Sequence, residues 1–97
     1  MNGWMKDIVK TIVDGLKDAN MQVDYYKEAH EHGKNELADM HLAEACKRLD
    51  GVKEWYNKTR HHIPDMEQTA FAGVLKDYYI EWYRDLRRKI DVIKSGQ

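Results

Sequence analysis

The 97-residue sequence predicts an all-α fold: one domain over residues 1–97, built as an antiparallel up-down-up bundle of three long helices and completed by dimerisation. Three observations lead there. Apolar residues recur at helical spacing in three long segments, two short breaks separate those segments, and a single proline leaves the rest of the chain free to wind. No stretch alternates with the period of a strand.

The first helix is predicted over about residues 4–32. Ile8, Val9, Ile12, Leu16, Ala19, Val23, Tyr26 and His30 form its stripe. Gly33 stops it, because the residue after a helix end favours the left-handed conformation that glycine adopts freely. The short "GKN" then permits an antiparallel return. The second helix is predicted over about 35–61, with Leu37, Leu42, Ala45, Leu49, Val52 and Tyr56 together and Trp55 on their flank. "HHIPD" ends it, since Pro64 disfavours helical geometry at Ile63.

The third helix, about 66–93, takes Asp65 as its cap, with Gln68 completing a capping box. Its stripe is Phe71, Leu75, Tyr78, Tyr79, Trp82, Leu86, Ile90 and Ile93. Gly15, Gly51 and Gly73 fall inside the predicted helices, and each costs about 1 kcal/mol against alanine. "DG" at 14–15 and 50–51 is also a turn signal. The stripe keeps its phase across both, so unbroken helices are expected, with close approach or a local kink as the glycines' use.

Composition excludes several classes. Sixteen Lys and Arg against seventeen Asp and Glu give a net charge of −1, with the signs interleaved, so no field draws in nucleic acid or an anionic membrane. No apolar run approaches the length of a membrane span. Cys46 is the only cysteine, which excludes an intrachain disulfide and a thiolate metal cage. The N-terminus lacks the uninterrupted apolar stretch of a signal peptide, and the cytoplasm is the expected compartment.

Candidate chemistry is sparse. In "HLAEACKRLDG" (41–51), His41 and Glu44 sit one turn apart beside the apolar stripe. With Tyr26 and His30 expected inward on the first helix, these four residues outline a polar pocket suited to zinc or iron. No Glu-x-x-His pair supports it, and a buried His bonded to a Tyr is the commoner arrangement, so no metal or cofactor is assigned. His61 and His62 are explained by the favourable position of positive charge at a helix C-terminus. Asp24, Glu28 and His32 read as a solvated stripe. Cys46 projects away from His41, and no glycine-rich phosphate loop is present, so no catalytic residue is expected. In "LKDYYIEWYRDLRRK", Asp77, Glu81 and Asp85 offset the basic residues, and its aromatics read as packing rather than a base-stacking platform.

The segments "IVDGLKDANMQVDYYKEA", "ELADMHLAEACKRLDGVKEWY" and "VLKDYYIEWYRDLRRKIDVIK" cover most of the chain, and their order resembles short ferritin-like proteins of bacterial and phage genomes. The resemblance implies a ferritin-like hairpin, with iron ligands from an inward Glu on the first helix and a Glu-x-x-His on the second. Aligned so, the first position falls on Ala19 and the pair on Cys46 and Leu49. Alanine and leucine offer no donor and one thiolate cannot hold two metals, so the ferroxidase or peroxidase activity of the pattern is not expected.

Ten aromatic residues exceed what a thin three-helix core hides. The leading expectation is therefore a non-enzymatic scaffold or interaction protein acting as a homodimer, with a prophage association carried over from the resemblance. Trp55, Tyr78, Trp82 and Tyr83 are its expected interface. The alternatives are a metal-binding protein using Tyr26, His30, His41 and Glu44, and a nucleic-acid-associated accessory protein using the third helix.

Overall fold

The computed structural model describes residues 3–60 and 79–96. They form three helices, with no strand among the described residues: α1 (Gly3–Glu31), α2 (Asn35–Arg60) and α3 (Glu81–Ser95). None of these helices is long and apolar enough to cross a membrane. The observed bounds of α1 and the start of α2 lie within one residue of those predicted, and the predicted end of α2 at 61 lies outside the described residues. The expected Asp65 cap and the segment 61–78, with Phe71, Gly73, Leu75 and Tyr78, lie outside the described residues.

The α1–α2 connection is built from backbone hydrogen bonds. Gly33 adopts φ 72°. Its N–H donates to the His30 carbonyl at 3.1 Å, and the Lys34 N–H donates to the Ala29 carbonyl at 2.9 Å. These two bonds make the Schellman arrangement that satisfies carbonyls left open at a helix end. The Lys34 carbonyl then accepts the Ala38 N–H at 2.9 Å, the first bond of α2. One residue thus closes one helix and opens the next, so the chain reverses abruptly.

The consequence is an antiparallel hairpin. Gly15 lies against Val52, and Gln22 and Tyr25 lie against His41, so position along one helix rises as it falls along the other. Ile12, Leu16, Ala19 and Val23 from α1 are buried with Leu42, Ala45, Leu49 and Val52 from α2. Both interior glycines of the hairpin sit in continuous helix. They differ in use. A Cβ at Gly15 would fall 2.4 Å from Val52 Cγ2, whereas one at Gly51 would meet nothing within 4 Å. Gly15 therefore lets the helices approach, and Gly51 has no such task among the described residues.

Among the described residues, two predicted stripe positions move. Ala29, not His30, is buried at the end of α1, because the reversing chain bonds across Ala29 and leaves His30 outside. In the first turn of α2 the buried residue is Ala38, while Leu37 remains 41% exposed. Small side chains thus fill the core next to the tight turn.

α3 adds Leu86 and Ile90 to the same core, and Tyr79 just ahead of it is buried too. Trp82, Tyr83 and Ile93 pack partly buried against it. Arg87 reaches Asp50 of α2 through an ion pair, and the Tyr79 ring lies 5.0 Å from that of Tyr56. Helical backbone already holds at Ile80 (φ −62°, ψ −49°), and the helix continues to Ser95, past the predicted end at 93.

Candidate functional site

The four polar candidates of the first hairpin separate into different pairings. His41 Nδ1 lies 2.7 Å from Gln22 Oε1, with its ring 5.3 Å from that of Tyr25. His30 is exposed and stacks on Tyr26, ring centroids 5.6 Å apart and planes 15° apart. Glu44 accepts from Arg48 Nε at 3.0 Å, an ordinary one-turn ion pair. The expected inward orientation of His30 is therefore not found; Ala29 holds that place. Among the described residues, no three His, Cys, Asp or Glu side chains gather closely enough to hold a metal ion. Ala19 and Leu49, on which ligand positions of the ferritin-like pattern fall, are both 0% exposed in the core, and Cys46 is half-buried with a free thiol.

The aromatic candidates split as well. Tyr83 belongs to an internal cluster. Its ring lies 5.4 Å from that of Tyr79, and its hydroxyl accepts from Arg87 Nε at 3.0 Å. Trp82 is partly buried against the core, and Tyr78 lies outside the described residues. Trp55, on α2, lies on a different side of the molecule from Trp82 and Tyr83 and is 36% exposed.

The Tyr79 cluster carries a chemical signature. Burial, reinforced by Tyr83 and Tyr56 and opposed by Arg87, pushes the Tyr79 hydroxyl up to about 12 from the ordinary 10.0. The folded state then keeps a proton that the unfolded chain releases above pH about 10. Stability is expected to be full below that pH and to decline as pH rises through about 12. Denaturant midpoints measured from pH 9 upward should show this loss in the native chain and a smaller one in Tyr79→Phe. Parallel curves would mean that Tyr79 titrates as an exposed tyrosine.

Trp55 borders a groove of about 360 Å³ between α1 and α2. Among the described residues, Gly15, Gly51 and Val52 line it beside Trp55, together with Thr11, Asp18, Glu44, Lys47 and Arg48. At 3.6 residues per turn, the Glu44, Arg48, Gly51 and Trp55 flank of α2 points away from the Cys46 and Asp50 flank. Asp50 meets Arg87 of α3, and Cys46 and Asp50 share a hollow with Lys94. The groove therefore opens on the side of the hairpin that α3 leaves uncovered. A smaller hollow of about 160 Å³ continues towards the turn, with Tyr25, Leu37 and His41 in its lining.

Sequence reasoning took Trp55 as an interface residue but not Gly51 or Arg48. The available signal was the repeated Asp-Gly at 14–15 and 50–51, which places a side-chain-free position on each helix. Only the packing separates the glycine that faces Val52 from the one that faces open space. Family models, curated proteins and solved structures were all compared with the chain, and none matches it.

Proposed function

We propose that this chain is a non-enzymatic helical scaffold or interaction protein that acts as a homodimer in the cytoplasm. Its frame is a ferritin-like up-down-up bundle of three helices. The observation that carries this reading is Trp55, a large aromatic left 36% exposed beside an open groove rather than folded into the core. Aromatic side chains at the mouth of a concave surface are the usual anchors of protein contacts. Two further observations support it. The core holds apolar side chains at Ala19 and Leu49, positions that a ferritin-like metal box would use. The paired His, Tyr and Glu side chains of the hairpin have ordinary structural partners.

Sedimentation velocity over a wide concentration range tests the reading. The expected result is a species that grows from 11.5 kDa towards twice that mass as concentration rises. A mass fixed at 11.5 kDa up to high concentration would refute the homodimer.

A further inference from the structure

We infer that the homodimer forms through the outer seam of α2, packed antiparallel against the same seam of a second copy. The inference rests on the homodimer reading above and assigns its surface. Leu37, His41, Glu44, Arg48, Gly51 and Trp55 follow one another at alternating four- and three-residue spacing. That is the spacing of a coiled-coil seam, which keeps one line of side chains facing a partner helix. The line runs along the flank of α2 that α3 does not cover, and Leu37 and Trp55 at its ends are 41% and 36% exposed.

The seam is complementary to itself when reversed. Placing a two-fold axis at its midpoint sets Trp55 on the partner copy's leucine, Gly51 beneath the partner copy's imidazole, and Arg48 against the partner copy's glutamate. Every pairing then occurs twice, as a two-fold contact requires. Charge agrees with this occupant. Among the described residues the groove lining carries Asp18 and Glu44 against Lys47 and Arg48, a neutral balance that rewards neither an acidic nor a basic partner.

Gly51 receives an explanation it lacks among the described residues. It weakens an interior helical position by about 1 kcal/mol, yet a Cβ there would meet nothing within 4 Å. A partner helix approaching closely gives the missing side chain a use. Size is also sufficient. At a rise of about 1.5 Å per residue the seam is about 27 Å long, and the hairpin is about 20 Å across. The face offers on the order of 500 Å² per copy, about 1,000 Å² in all, which is the low end for a specific interface. The resulting dimer is expected to be reversible with concentration.

A charge-swap experiment tests the seam. Glu44→Arg puts two arginines in contact across the axis, and Arg48→Glu puts two glutamates in contact. Each variant alone should sediment as a monomer at concentrations where the native chain dimerises, and an equimolar mixture should recover the dimer mass. Native chain that stays monomeric overturns both the homodimer reading and this inference. A native dimer whose variants remain fully dimeric alone, or whose mixture fails to recover, overturns the seam and leaves the homodimer standing. Gly51→Leu, melted at a concentration where the native chain is monomeric, covers the remaining occupant. An unchanged or raised melting temperature is expected, and a clear fall would mean that another part of the same chain fills the groove.

Discussion

Leu16→Ala and Leu49→Ala should each lower the unfolding free energy by about 2–5 kcal/mol, the range found when a buried leucine is cut back and the site does not collapse. Both side chains are 0% exposed, one on each helix of the hairpin, in a core shared with Leu86 and Ile90 of α3. Losing either removes packing from that shared core, and alanines such as Ala19 and Ala45 in the same core are too short to fill the space. Urea denaturation followed by circular dichroism, at one fixed concentration, measures the effect. A loss below about 1 kcal/mol at both positions would mean that the hairpin is not held by this seam.

The second large effect separates two glycines that each follow an aspartate. Gly15→Ala adds a better helix former, worth about 1 kcal/mol in isolation. Here its Cβ would stand 2.4 Å from Val52 Cγ2. Valine is branched at Cβ and stiff in its first torsion, and Val52 is buried, so it cannot swing aside. The helices must part instead, and the expected net change is a loss of about 1–3 kcal/mol. Val52→Ala in the same chain should recover part of it, because that substitution removes the opposing methyl; the pair should be non-additive. Gly51→Ala should have the opposite sign and stabilise the monomer by up to about 1 kcal/mol, since its Cβ meets open space. Thermal melts of the three variants at low concentration measure all of this. Equal effects at both glycines would contradict the packing.

Most of the fold was legible because its determinants are local. The 3.6-residue stripes place Ile12, Leu16, Leu42 and Leu49 inward whatever their partners, and Gly33 ends α1 through its own backbone freedom. His30 and Leu37 escaped that reasoning because they flank the turn. The Lys34-to-Ala29 hydrogen bond folds the chain back over Ala29, and no single-helix period encodes that. The surface was less legible still. A helical wheel gives the angle of Trp55 but not which neighbour covers that angle, and the placement of α3 against Asp50 is what shows that α3 leaves that flank of α2 uncovered. The polar letters of "HLAEACKRLDG" suggested a metal box. With Gln22 and Arg48 in view, they read as ordinary side-chain pairs along the proposed seam.

The central claim, that a second copy binds the open face of the hairpin, is tested most directly by amide hydrogen exchange. Rates are compared at concentrations below and above the sedimentation transition. The expected result is slower exchange in the dimer for residues 37–55, and for the facing α1 residues 11–25, with 84–95 unchanged. Slowing centred on 82–95, with 37–55 unaffected, would place the partner on Trp82 and α3 and contradict the account.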